Sequence, residues 1–172
     1  LHPLVPSFHY PISDMPRQLH FIGALLPEAP QHFEPPAWWA RMLSSGKRVV
    51  LVTQGTIATD ADELIRPALE ALAGEGLWVV ATTGGKRGEE LGFPIPANGV
   101  VEPFIPFVTL MPHVSAFVTN GGYGGISIAL ASGVPVVRAG TTEDKMEVGN
   151  RVSYSGVGVN LKTNRPPSAQ VR

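Results

Sequence analysis

A chain of 172 residues with 44% hydrophobic content and a formal net charge of −1 is long enough for one ordinary core and too apolar to be disordered. The lack of a basic surplus argues against nucleic acid as a partner, and the lack of cysteine excludes disulfides, thiolate metal sites and cysteine nucleophiles. No apolar run approaches the roughly 20 residues that span a bilayer, so no transmembrane segment is expected. A cysteine-free chain without a visible signal peptide fits a cytoplasmic location.

Residues 1–46 carry Pro3, Pro6, Pro11, Pro16, Pro27, Pro30, Pro35 and Pro36, which exclude long helices. Only Trp38 to Leu43 suggests a short helix, and the segment reads as a linker or edge piece on the surface of a domain spanning 47–172. From Arg48 the pattern becomes regular. Val49-Val50-Leu51-Val52-Thr53 is a short apolar run of the kind buried on both faces of a sheet. Asp60 or Asp62 can cap a helix whose apolar stripe holds Leu64, Ile65, Ala68, Leu69 and Leu72, closed by Gly74 and Gly76. Leu77 to Ala81 is a second strand, and Val100-Val101 leads a third into Phe104. A short helical turn at Val108–Met111 precedes a fourth strand, Ala116 to Thr119. A helix from Tyr123 to Ser132 stops at Gly133, and Val134 to Val137 is a fifth strand. A helix near Lys145–Ser155 leads to a sixth, Val157–Leu161. Pro166-Pro167-Ser168 opens another helix close to the last residue, so the chain reads as a piece of a larger protein. Alternation of this kind predicts an α/β domain with a parallel sheet of about six strands and helices on both faces.

Ligands of such sheets sit at the carboxyl ends of the strands. Four loops meet there: Gln54-Gly55-Thr56, Thr82 to Gly85, Asn120 to Gly125 and Ala139 to Lys145, all rich in glycine, threonine or acids. The run from Phe117 to Lys145 is the most telling. Glycines crowd the place where a strand hands over to a helix, whose N-terminus carries free N–H groups and about half a positive charge. That arrangement holds phosphate or diphosphate. There is no GxxxxGK[ST] sequence and no GxGxxG after the first strand, which lowers kinase and dehydrogenase readings. The five histidines are scattered without ligand spacing, so no metal site is expected.

These pieces resemble, in order, the donor-binding C-terminal half of family-one glycosyltransferases, the two-domain GT-B enzymes that use nucleotide-activated sugars. Val49 to Thr56 is similar to the family's first strand and glycine turn, and Val101-Glu102-Pro103-Phe104-Ile105-Pro106 to its base-reading loop. Phe117 to Gly125 is similar to its diphosphate loop, Ala131 to Val136 to its helix end and next strand, and Glu143-Asp144-Lys145 to its sugar-reading acidic pair. The likeness covers about residues 48–161 well and the front segment more loosely. It implies a Rossmann-like three-layer domain forming one half of a GT-B fold, without a cofactor or required metal, partnered by an N-terminal acceptor-binding domain.

The resemblance also assigns roles. Phe104 stands where an aromatic stacks on the nucleotide base, and backbone groups of Ile105 would meet the base edge. A core phenylalanine at a strand end is the plain alternative. Asn120 replaces the diphosphate-binding histidine, keeping a donor but unable to become cationic. Gly121, Gly122, Gly124 and Gly125 would offer backbone N–H groups or close approach, with Gly55 and Thr56 contributing or serving as a structural turn. Ile128 stands where many members carry a ribose-gripping glutamate, leaving UDP- and TDP-sugars both open. Asp144, assisted by Glu143, would bond sugar hydroxyls or cap the next helix. Lys145 would reach a phosphate or pair with Glu143.

The implied reaction is inverting transfer of a hexose from a nucleotide diphosphate sugar to a hydrophobic small-molecule or lipid hydroxyl. Its catalytic base would lie in the N-terminal domain, so no catalytic residue is assigned here. A nucleotide-sugar epimerase half and a non-catalytic nucleotide-sugar-binding domain are the alternatives.

Overall fold

The computed structural model describes residues 1–58, 60–142 and 144–172. Six parallel strands form one sheet: β1 (Arg48–Thr53), β2 (Leu77–Thr82), β3 (Gly99–Glu102), β4 (Ala116–Thr119), β5 (Val136–Arg138) and β6 (Gly158–Asn160). Their spatial order is β3-β2-β1-β4-β5-β6, so the winding reverses between β1 and β4. The helices are α1 (Trp39–Ser44), α2 (Ile65–Ala71), α3 (Phe107–Leu110), α4 (Tyr123–Ala131), α5 (Lys145–Tyr154) and α6 (Ser168–Val171).

The strands are apolar throughout because both faces of the sheet are covered. Val49, Leu51, Phe117 and Val136 point to a core shared with α3, α4 and α5. Their neighbours Val50, Val52 and Val118 point the other way, to a core closed by α2 and α6. This is the parallel sheet with helices on both faces that the alternating pattern predicts, and the three-layer, Rossmann-like arrangement that the resemblance implies. Leu51, Phe117 and Ile126 are wholly buried, and each contributes about 1.5–3 kcal/mol of apolar burial.

Helix α4 is apolar on every side, and the reason lies in the front segment. Its inner residues Ile126 and Ile128 meet the sheet, while Tyr123, Ser127 and Leu130 face Leu4, Phe8 and Leu26. The Tyr123 hydroxyl donates to the Pro3 carbonyl. Trp38, Trp39 and Met42 are buried in the same core, and the Trp38 indole N–H donates to Glu102 at 2.6 Å, at the end of β3. The proline-rich stretch thus supplies large side chains to the α4 face.

Local details differ from the sequence expectations. Strand β3 stops at Glu102 instead of running to Phe104, since Pro103 has no N–H for the ladder. Strand β5 begins at Val136, after Pro135, for the same reason, and it extends to Arg138. Neither Asp60 nor Asp62 caps α2: Asp60 Oδ1 accepts the Asp62 N–H in a local turn. The cap is Gln54, whose Oε1 accepts the N–H groups of Leu64 at 3.1 Å and Ile65 at 2.9 Å.

Candidate functional site

Threonine ends β1, β2 and β4, and at β1 and β4 its hydroxyl folds the following loop back. Thr53 Oγ1 accepts the Gly55 N–H at 3.2 Å, and Thr119 Oγ1 accepts the Gly121 N–H at 3.2 Å. These short side-chain turns let the backbone reverse at once after the sheet. Between the strands, the Thr82 hydroxyl donates to Thr53 Oγ1 at 2.9 Å. The β1 and β2 loops touch so closely that a Cβ on Gly84 would lie 2.7 Å from the Gly55 carbonyl oxygen and 3.0 Å from Thr56 Cα. Gly84 also has φ +75°, so this contact admits only glycine.

Across the switch point, the Asn120 side-chain amide donates to the Gln54 carbonyl, and the Asn120 backbone N–H reaches Thr53 O at 3.2 Å. Asn120 therefore clips the β1 and β4 loops together. Beyond it, α4 starts at Gly122 without a side-chain cap. Ile126 is the first residue whose N–H bonds back, to Gly122 O at 3.2 Å. The N–H groups of Tyr123, Gly124 and Gly125 have no acceptor among the described residues. They form an unspent donor set at the positive end of a nine-residue helix.

Two cavities open at this edge. The larger, about 440 Å³, is walled by Thr53, Gly55, Thr56, Gly84, Phe104, Ile105 and Ile128, with Pro27 and Glu28 of the front segment on its rim. Phe104 is 73% exposed, so the plain reading of it as a core residue does not hold. Ile105 is the reverse. Its side chain is buried in the core, and its backbone makes no hydrogen bond among the described residues. The second cavity, about 300 Å³, lies over the switch point and is lined by Gln54, Leu64, Asn120, Ala139, Thr142 and Lys145.

The fold thus gathers Gly55, Thr56, Phe104 and Ile105 about one cavity and Asn120 and Lys145 about the other. Gly121, Gly122, Gly124 and Gly125 line neither of the two; they form the turn and first helical residues beside them. Gly125 has a packing duty as well, because a Cβ there would sit 3.3 Å from the Phe117 ring. Asp144 is exposed at the residue before α5, with no side-chain cap bond. Lys145 is buried, and its ammonium donates to Thr142 Oγ1 at 3.3 Å. Glu143 lies outside the described residues.

Three contributors were missed by sequence reasoning. Pro27 and Glu28 belong to a segment without periodicity and gave no signal. Arg138, a cation closing an apolar strand, gave one: it is 1% exposed and lies behind the Gly121 turn.

Residues 54–172 match the family model described as Erythromycin biosynthesis protein CIII-like, C-terminal domain. The chain is 55% identical over 168 residues to 4'-demethylrebeccamycin synthase of Lentzea aerocolonigenes, covering 98% of this chain and 39% of that protein. It is 42% identical over 170 residues to UDP-glucosyltransferase 1 of Beauveria bassiana, covering 97% and 37%. Among solved structures, the calicheamicin glycosyltransferase CalG4 superposes with a TM-score of 0.76 at 27% identity, covering 96% of this chain and 41% of that one. The glycosyltransferase VinC, solved in complex with DTDP, gives 0.67 at 25% identity, covering 97% and 40%. The chain spans about two fifths of the length of these proteins. It belongs to the family of Erythromycin biosynthesis protein CIII-like C-terminal domains, with the fold of the C-terminal half of a GT-B glycosyltransferase.

Proposed function

We propose that this chain is the donor-binding domain of a glycosyltransferase that moves a hexose from UDP- or TDP-sugar to a hydroxyl of a hydrophobic small molecule or lipid. The observation that carries the reading is the edge geometry: an apolar cavity with exposed Phe104 at its wall, adjoining a helix whose first three N–H groups are unspent. A base would lie on Phe104, with the Ile105 backbone at its edge and the diphosphate directed to the start of α4. The relatives' names point the same way, since they include a UDP-glucosyltransferase and a glycosyltransferase solved with DTDP.

Transfer displaces the diphosphate at the anomeric carbon, with inversion. The helix N-terminus, with the unspent N–H groups of Tyr123, Gly124 and Gly125, stabilises charge developing on the leaving group, without a required metal; the Gly121 N–H, already bonded to Thr119, shapes the turn instead. Asp144 accepts hydrogen bonds from sugar hydroxyls, with Lys145 beside it. The acceptor's proton goes to a general base in an N-terminal domain, by the family resemblance a histidine. The domain works in a compartment that supplies nucleotide sugars, the cytoplasm; among the described residues no helix is long and apolar enough to cross a membrane.

Calorimetric titration with UDP, TDP and GDP tests the reading. Saturable binding of UDP or TDP, weakened in Asn120→Ala by loss of the clip between the β1 and β4 loops, is the expected result. Failure of all three nucleotides to bind would reduce the proposal to a likeness of fold.

A further inference from the structure

Arg138 ends β5 and is among the largest fully buried side chains of the domain, 1% exposed. Its Nη1 donates to Asn160 Oδ1 at 3.1 Å on the neighbouring strand. Its Nε and Nη2 are buried and have no hydrogen-bond partner. No salt bridge to the guanidinium is found among the described residues, and the carboxylate that acts on it electrostatically is that of exposed Asp144. Burial lowers its pKa from the ordinary value, yet an arginine stays charged throughout the working pH range.

Two glycines make room for it. A Cβ on Gly149 of α5 would lie 2.6 Å from Nη1 and 2.7 Å from Cζ. A Cβ on Gly121 would collide with Nε and sit 3.0 Å from Cγ. The guanidinium is therefore wedged directly behind the Gly121 turn, which delivers the chain to the unspent N–H groups of α4. Donors dominate this spot: one N–H set in front of the turn, one cation behind it, and among the described residues no buried anion to answer either. Burying a charge without a partner is costly, and an anion arriving from outside would offset part of that cost.

We propose that Arg138 is the cation of the diphosphate subsite, acting from behind the Gly121 turn where Asn120, in front of it, cannot carry charge. It is a positioning residue. Its charge strengthens the field at the start of α4, and its bulk fixes the turn that aims the N–H groups. The inference rests on the donor-site reading above and goes beyond it by assigning the anion's counter-charge to a residue that does not line either cavity.

The test compares UDP and TDP with uridine and thymidine by titration calorimetry on the wild type, Arg138→Met and Arg138→Lys. A unit charge one residue layer from the anion, at an effective dielectric near 20, corresponds to a loss of roughly tenfold in diphosphate affinity for Arg138→Met. Nucleoside affinity stays unchanged, and Arg138→Lys keeps diphosphate affinity within about threefold of the wild type. Removing an unpaired buried charge leaves the melting temperature unchanged or raised. If Arg138→Met does not fold, Arg138→Gln, which keeps a donor for Asn160, is read in its place. Unchanged diphosphate affinity in the neutral variant overturns the inference while the donor-site reading stands. Equal losses for nucleoside and diphosphate reduce Arg138 to packing. A wild type that binds neither nucleotide removes the donor-site reading, and the inference falls with it.

Discussion

Gly121→Ala and Gly124→Ala separate a glycine the fold requires from one it does not, three residues apart in the same loop. Gly121 has φ +96°, a conformation that costs a residue with a Cβ about 1–2 kcal/mol. Its added methyl would also strike Arg138 Nε, with Cγ 3.0 Å and Cδ 3.2 Å away. Arg138 has little room to retreat, because Gly149 already contacts its other side and Asn160 holds Nη1. Overpacking of this kind costs about 1–3 kcal/mol, so Gly121→Ala is expected to lose about 2–5 kcal/mol. Gly124 meets nothing within 4 Å and lies in the first turn of α4 with ordinary φ. Alanine there trims unfolded-state freedom and is expected to gain up to about 1 kcal/mol. Urea unfolding followed by tryptophan fluorescence gives both values from the shift in midpoint at constant slope. A Gly121→Ala variant within about 0.5 kcal/mol of the wild type, or equal shifts in the two variants, would refute the wedge geometry.

Phe104→Ala is expected to leave the unfolding midpoint in place, since the ring is 73% exposed, while nucleotide affinity drops by about 1–3 kcal/mol through lost stacking; calorimetry and urea unfolding on one sample decide it, and a stability loss without a binding loss would return Phe104 to packing. Gln54→Leu strands the Leu64 and Ile65 N–H groups, while the Asp60 carbonyl keeps the Glu63 N–H; each orphan costs about 1–3 kcal/mol, so a loss of at least about 2 kcal/mol is expected, and a neutral result would deny the cap. His2 packs its ring 5.3 Å from His9 and 5.4 Å from Phe21, with Nε2 buried and unpartnered. Burial, then His9 and Arg151, hold its pKa below the ordinary 6.5, so the unfolded segment takes a proton that the docked one refuses. Docking is at full strength above pH 6.5 and weakens as pH falls below it; melting temperatures from pH 8 to 5 should decline less steeply for His2→Phe, and identical slopes would contradict this.

The sheet was legible because each buried strand is a short apolar run bounded by turn residues, and Arg48–Thr53 and Ala116–Thr119 show this cleanly. Boundaries failed where a proline sits beside the strand, at Pro103 and Pro135, because an apolar pattern does not reveal a missing ladder donor. The α2 cap failed for another reason. Asp60 and Asp62 stand at capping distance in sequence, but Gln54 arrives from the β1 turn in space, and no local spacing encodes that contact. Phe104 and Ile105 were legible as a pair, yet the pattern did not say which side chain would face solvent and which the core. Arg138, a cation at the end of an apolar strand, was passed over; its meaning depends on Gly121 and Gly149, which close around it only in the fold.

The hydrogen-bond pattern at the sheet edge bears on what the edge is for. Around the switch point, the loop donors are spent locally: the Gly55 N–H on Thr53, the Gly121 N–H on Thr119, the Asn120 amide on Gln54 and the Gln54 amide on Asp60. A turn built only to connect a strand to a helix would spend the first helical donors as well, usually on a serine, threonine or aspartate at the cap. Here the cap is Gly122, with no side chain to offer, and three consecutive N–H groups remain unspent among the described residues. Their neighbours are fixed by bonds of their own, so an arriving anion would meet donors already aligned and would not have to order the loop. The α2 end of the same sheet edge supplies the contrast, because Gln54 takes the Leu64 and Ile65 N–H groups and the Ala61 carbonyl takes that of Arg66. One helix start is closed by the chain and the adjacent one is left open, which is the asymmetry expected where a single diphosphate binds at one side of a switch point.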